Sequence, residues 1–383
     1  VASERGPLNA PGTDVVRIIT RLNIGGPARQ ELMLSNALQD RFRTVLAAGV
    51  PSPDEGELSD PRVEVRRLPL VRPLSFRYDL SAFVATRALL RLERPRLVHT
   101  HMAKAGAIGR AAALTLRPRP KLVHTFHGHV LEGYFRPGTE RLFIRTERAL
   151  ARRTDAIVAV SDEVRDTLLA LGVGRPDQYR VISLGLDLDP FLRIEKRTGA
   201  LRDALGIGPG VPLIGIVGRL VPIKDHEMLF DAIGRLPEVH LAVIGDGESR
   251  TEVEERARAT APGRIHFTGW RHDMPETLAD LDVVALSSRN EGTPVALIEA
   301  LAAGVPVAAT DVGGVRGVVE DPVRGLLVPA GDAPRMAAAL EELLARSSKR
   351  IPGEERAVVG AKWGRERLIR EMGDLYSELL RSG

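Results

Sequence analysis

The chain has 383 residues, 44% of them hydrophobic, enough for two domain cores of ordinary size and too many for one small domain. It contains no cysteine, which excludes disulfides, thiolate nucleophiles and cysteine-based zinc or iron–sulfur sites. The net charge of +4 is uneven: residues 1–190 carry 29 Lys/Arg against 21 Asp/Glu, residues 191–383 carry 25 against 29, and an aromatic content of 4% without any recognition motif speaks against nucleic acid as a partner.

In chain order, Val1–Thr13 is rich in Gly, Pro and small polar residues and reads as a loose tail without the apolar centre of a signal peptide. No apolar run approaches the roughly 18 to 20 residues that cross a bilayer, so the expected location is cytoplasmic. Short β-branched runs then alternate with helical stretches: Val15–Thr20, Arg43–Ala47, Val63–Arg66, Leu97–Thr100, Leu122–Thr125, Ile157–Val160 and Val181–Ser183. The pattern restarts at Leu213–Val217, His240–Ile244, Arg264–Phe267, Val283–Leu286, Val305–Ala309 and Leu326–Val328. Strands of this kind, separated by helices, predict an α/β protein with two doubly wound parallel sheets, whose ligands bind beyond the carboxyl ends of the strands. Gly185–Gly210 reads as the connection, with a boundary near 190 between domains 1–190 and 191–360. In the last segment, 361–383, Trp363, Leu368, Met372, Leu375, Tyr376 and Leu379 have helical spacing and predict one terminal helix that packs back across the junction.

The sharpest motif follows the run Val283–Leu286. Pro294 suits the first turn of a helix, where its missing N–H costs nothing, and the amides of Gly292, Thr293, Val295 and Ala296 then form an anion site framed by Glu291 and Glu299. A carboxylate can accept from both ribose hydroxyls, a role that suits Glu299, while Glu291 suits sugar hydroxyls. At the end of Leu213–Val217, Gly218 admits a ligand close to the backbone, and Arg219 with Lys224 offers a planar fork and a point charge for a diphosphate. Gly25 and Gly26 open a helix after the first run. Gly-x-Gly-x-x-Gly and Gly-x4-Gly-Lys-Ser/Thr are both missing, so a dehydrogenase or a P-loop enzyme loses its usual support. Five histidines, His99, His101, His124, His127 and His129, gather at the ends of two neighbouring runs; no matching carboxylate or spacing marks a metal site, and packing or hydrogen bonding is the expected role of most. The Asp187–Asp189 and Asp280–Asp282 pairs sit in the connection and before a strand, and read as structural rather than as ligands of a divalent metal. Arg141, Arg145, Arg148 and Arg152 form one stripe, and Arg87, Arg91 and Arg94 a shorter one; each is either a solvated face or a peripheral contact of the basic first half with an anionic membrane.

The segments Glu291–Val307, Asp311–Gly314 and Gly325–Asp332 resemble the retaining GT-B glycosyltransferase family that includes sucrose synthase and the bacterial phosphatidylinositol mannosyltransferases, with its Glu-x7-Glu motif at Glu291 and Glu299. The resemblance covers nearly the whole chain from about residue 15. It implies two facing Rossmann-like domains with a cleft between them, the first on the acceptor side and the second binding a nucleoside diphosphate sugar, a UDP-sugar in preference to a GDP-sugar. It further implies transfer to an acceptor hydroxyl with retention, without metal or other cofactor. On this reading Arg219 and Lys224 hold the diphosphate, Gly25, Gly26, Gly218 and Gly292–Val295 face it or the sugar, Trp270 and Arg271 run past the base, and His127 lies beside the donor sugar. The catalytic set is His127, Arg219, Lys224 and Glu291. Two departures stand out: Asp225, where many relatives have Gly, and Arg316-Gly317, where relatives commonly carry Glu at the second position. The alternatives are a sugar-nucleotide epimerase of the same fold, which needs no acceptor, and a silent nucleotide-sugar-binding module. The donor sugar, acceptor and linkage leave no trace in these residues.

Overall fold

A computed structural model describes residues 12–23, 26–51, 56–71, 75–127 and 137–381. Among the described residues thirteen strands form, each where a β-branched or apolar run predicts one. The first sheet comprises β1 (Val15–Arg21), β2 (Thr44–Gly49), β3 (Val65–Arg67), β4 (Leu97–His101), β5 (Lys121–Phe126), β6 (Ala156–Ala159) and β7 (Tyr179–Val181), all parallel, in the order β3-β2-β1-β4-β5-β6-β7. The second comprises β8 (Leu213–Val217), β9 (His240–Ile244), β10 (Ile265–Gly269), β11 (Val283–Leu286), β12 (Val307–Thr310) and β13 (Gly325–Val328), also parallel, in the order β10-β9-β8-β11-β12-β13. Both are Rossmann-like. The central strands are buried on both faces, which is why they read as unbroken apolar runs rather than alternating ones. In each sheet the order reverses beside the first strand, between β1 and β4 and between β8 and β11, and such a switch point leaves a crevice at the strands' carboxyl ends.

The chain divides into two compact units, Val1–Gly185 with Leu368–Gly383, and Leu186–Arg367. In the first, Leu34 and Leu38 pack with Val15, Leu97 and Val123 and with Leu368, Met372, Leu375 and Tyr376, while the opposite sheet face carries Val16, Val98 and Leu122 under Leu90, Ala105 and Ala112. Each fully buried Leu or Met contributes roughly 1.5–3 kcal/mol, so the terminal helix is an integral part of this core. The second unit packs Leu229, Phe230, Ile233, Met336 and Leu340 over Ile214, Ile216, Val243 and Ala285.

The terminal segment departs from the single predicted helix. It forms two, Gly353–Trp363 and Arg365–Arg381, broken at Gly364, whose backbone is extended and bridges Leu186. A Cβ at Gly364 would lie 2.4 Å from the Gly360 carbonyl oxygen, so no other residue fits this break without movement. Trp363 therefore ends the earlier helix and is buried in the second unit, whereas the residues from Leu368 onward serve the first. Among the described residues, no helix is long and apolar enough to cross a membrane.

Candidate functional site

The second unit gathers its motif residues at the switch point. Lys224 ends a short 3-10 turn, Pro222–Lys224, after β8, and Glu291 lies between β11 and the helix Val295–Ala302. Lys224 Nζ donates to Glu291 Oε1 at 2.5 Å, and Ser288 Oγ donates to the same oxygen at 2.6 Å. Both charged side chains are mostly buried, so water screens this pair less than it would a surface ion pair. Two further bonds fix the loops that carry them: Ser287 Oγ donates to the Lys224 carbonyl at 2.8 Å, and the Arg289 amide donates to the Ile223 carbonyl at 2.9 Å. The side chain of Arg219 is exposed and has no hydrogen-bond or ion-pair partner among the described residues.

Pro294 stands one place earlier than expected: it caps the helix rather than occupying its first turn. The first helical bonds run from the Leu297 and Ile298 amides to its carbonyl, which leaves the amides of Val295 and Ala296 ahead of any intrahelical acceptor. Gly292 is exposed, and a Cβ there would meet nothing within 4 Å; the same holds at Gly26, which begins the helix Gly26–Ala37. The fold's own packing does not demand glycine at either place. Gly313, with φ of +49°, is the opposite case, since a Cβ there would lie 1.9 Å from the Glu291 carbonyl oxygen. The Gly313–Gly314 turn is thus a buttress for the Glu291–Gly292 backbone, and the Gly314 amide donates to the Gly292 carbonyl at 3.1 Å.

Asp225 has a structural explanation. Its φ of +48° is a left-handed conformation that favours glycine, and Arg289 holds its carboxylate with two bonds, of 2.9 and 3.2 Å. Asp225 thereby closes the Lys224 turn. Arg316 is exposed and pairs with Asp311.

Other predicted residues lie at neighbouring strand ends. Trp270 follows β10 and is 61% exposed, while Arg271 is tied to Asp273 and, at 2.7 Å, to Thr277. Glu299 is part-buried inside its helix, about two turns beyond Glu291. Asp280 accepts from the amides of Thr198, Gly199 and Leu201, and Asp282 from the Leu213 amide and the guanidinium groups of Arg197 and Arg202. Asp187 and Asp189 pair with Arg365. All four aspartates are therefore engaged by protein groups. In the first unit, Gly25 and His129 lie outside the described residues.

The described histidines of the first unit separate by environment. His99 bridges Tyr376 Oη (2.6 Å) and Thr125 Oγ1 (2.7 Å), and His124 contacts Thr100 Oγ1 (2.8 Å); burial holds both well below the usual imidazole range. These two match the packing role expected of them. His101 is likewise engaged by protein groups, meeting the buried carboxylate of Glu31 at 3.0 Å and His127, the histidine expected beside the donor sugar, at 3.1 Å. His127 keeps some accessible surface yet is crowded by protein, and burial, then His101, lower its pKa to about 3, with Glu31 opposing. Sequence reasoning passed over Glu31 because 70 residues separate it from His101; the one available signal was a carboxylate on the helix that follows the Gly25-Gly26 loop.

Two Rossmann-like sheets, with a cation–carboxylate pair and a helix start at the switch point of the second, define a protein of the GT-B fold. The comparisons with known proteins agree. Residues 24–190 match the model of Glycosyltransferase Family 4 and residues 211–346 that of Glycosyl transferases group 1. A D-inositol 3-phosphate glycosyltransferase from Xylanimonas cellulosilytica is 33% identical over 330 residues, 78% of this chain and 77% of the relative. A UDP-Gal:alpha-D-GlcNAc-diphosphoundecaprenol alpha-1,3-galactosyltransferase from Escherichia coli is 28% identical over 271 residues, covering 69% and 70%. The solved structure of Anabaena HepE in complex with UDP superposes with a TM-score of 0.79 at 20% identity, over 95% of this chain and all of that one, which shows the shared fold. The chain belongs to the group 1 glycosyltransferases.

Proposed function

We propose that this glycosyltransferase moves a sugar from a nucleoside diphosphate sugar, a UDP-sugar in preference to a GDP-sugar, to an acceptor hydroxyl with retention of configuration and without a metal ion. The observation that carries this reading is the Lys224–Glu291–Ser288 cluster beside the start of the helix Val295–Ala302. As the bond from the sugar to the diphosphate breaks and the bond to the acceptor oxygen forms, negative charge grows on the leaving diphosphate. Arg219, Lys224 and the leading amides of that helix offset it, each donor being worth on the order of 3 kcal/mol in comparable oxyanion sites. Glu291 accepts from sugar hydroxyls, Glu299 from the ribose, and Gly26 and Gly292 leave room for the substrate. Trp270 and Arg271 border the base, and His127 serves the sugar. The acceptor class is a sugar or lipid-linked sugar of a glycoconjugate, by analogy with the diphosphoundecaprenol-linked substrate in the name of the galactosyltransferase relative.

The test is a panel of UDP- and GDP-sugars with sugar and lipid-diphosphate acceptors, run with and without exhaustive chelation, with the product's anomeric configuration read by NMR. The expected result is acceptor-dependent release of UDP, retention, and a rate unchanged by chelation. Isomerisation of the donor without acceptor would establish an epimerase instead. A rate lost on chelation and restored by magnesium or manganese would overturn metal independence.

A further inference from the structure

Two loops of the second unit carry its donor-site motifs, residues 218–225 after β8 and residues 287–294 after β11. They are tied at consecutive residues. The Arg289 amide donates to the Ile223 carbonyl at 2.9 Å, Ser287 Oγ to the Lys224 carbonyl at 2.8 Å, and the Arg289 guanidinium to both carboxylate oxygens of Asp225, Nε at 2.9 Å and Nη2 at 3.2 Å. The main chain around Lys224 is thus fixed on both sides, and only its side chain is left to choose between Glu291 and a ligand.

Asp225 stands where a side chain is least welcome. Its φ of +48° and ψ of +50° are left-handed, a conformation that glycine adopts freely, aspartate tolerates and most other residues avoid. The Asp225 side chain is 7% exposed against 65% for Arg289, and among the described residues Arg289 alone donates hydrogen bonds to its carboxylate. An exposed ion pair counts for little, but this one is a two-bond fork on an enclosed carboxylate, so losing the arginine leaves a buried charge without its donors. The turn after Lys224 then loses what holds it.

We infer that Arg289 and Asp225 are positioning residues for Lys224: their pair holds the left-handed turn that ends the first loop and locks it to the second, so that Lys224 and Glu291 meet the donor as one unit. This rests on the reading of Lys224 and Glu291 as donor-site residues made above. Neither positioning residue touches the donor; both act through Lys224.

The test is a set of full-chain variants with two readouts: kcat with donor KM, and the 13Cε NMR signal of Lys224, one of six lysines, assigned by its loss in Lys224→Ala. Arg289→Ala should lower kcat by about tenfold while donor KM changes by less than about threefold, and should move the Lys224 signal. Asp225→Ala, which keeps a side chain in the turn but removes the carboxylate, should do the same. Asp225→Gly needs no partner to hold the turn, so adding Arg289→Ala to it should cost less than about threefold in kcat. Adding Arg289→Ala to Lys224→Ala, where the positioned group is gone, should also cost less than about threefold. A tenfold loss in either background would show that Arg289 acts on the donor directly and would overturn the inference. An active transferase whose Lys224 signal ignores Arg289→Ala would overturn it too, leaving the proposed function intact; a signal that follows the pair in a chain without transfer activity would contradict the function and leave the pair's role standing.

Discussion

Arg219→Ala with Lys224→Ala is expected to reduce the rate of transfer at saturating donor by about 10³-fold or more, with each single variant losing about 10²-fold. The two cations are built differently. The side chain of Arg219 is exposed and unpaired among the described residues, so it is available to a diphosphate without breaking any such bond. Lys224 sits 2.5 Å from Glu291, which holds it beside the helix start, and its main chain is pinned by Ser287. Removing Lys224 strips Glu291 of its cation and leaves only the Ser288 hydroxyl bond to that oxygen, so this variant should also weaken recognition of the sugar. Single-turnover rates with a reactive acceptor measure the effect, and circular dichroism checks that the fold is kept. A double variant with the wild-type rate would show that the diphosphate is held elsewhere.

The second large effect concerns acid. Burial holds His99 and His124 well below the ordinary imidazole value of 6.5, lowers His127 to about 3, and, with Lys224 adding to it and Asp225 opposing, lowers His226 to about 4. In the unfolded chain these imidazoles take up protons below about pH 6.5, but in the folded chain they do not until roughly pH 4 or lower. The unfolded state therefore binds more protons in this window, and stability is lost as the pH falls through it. Each histidine steepens the loss by up to about tenfold in the unfolding constant per pH unit. Thermal unfolding at about pH 7.5 and about pH 4.5 should differ in Tm by on the order of 10 °C, before most carboxylates protonate. A Tm that stays level across that interval would mean that these rings are charged, or exposed, in the folded protein.

The strands were legible in the sequence because burial on both faces gives parallel strands a continuous β-branched signal, and all thirteen lie within about two residues of their predicted runs. The terminal helix was legible in its apolar spacing but not in its break, because helical periodicity runs across Gly364, where the backbone turns extended and only glycine avoids a clash with the Gly360 carbonyl. Lys224 and Glu291 were each readable from their motifs. Their bond was not, since 67 residues separate them and only the β8–β11 switch point brings them together. Asp225 read as an anomaly until Arg289, from the other loop, supplied its partner. Glu31 and His101 were the hardest, because a carboxylate on a helix and a histidine on a strand look like ordinary buried residues until the fold sets them 3.0 Å apart.

The central claim is that one helix start in the second unit divides a nucleotide sugar between two carboxylates, Glu299 at the ribose and Glu291 at the sugar. Titration calorimetry of UDP and of the cognate UDP-sugar into wild type, Glu291→Gln and Glu299→Gln tests it most directly. A charge-assisted hydrogen bond reduced to a neutral one is worth roughly 1.5–3 kcal/mol, about ten- to a hundredfold in affinity. Glu299→Gln should weaken UDP and the UDP-sugar alike by that factor. Glu291→Gln should leave UDP within about threefold of wild type, because Lys224, released from the carboxylate, still faces the phosphates, and should weaken only the additional affinity contributed by the sugar. Equal losses of UDP affinity in the two variants, or no loss in either, would contradict the account.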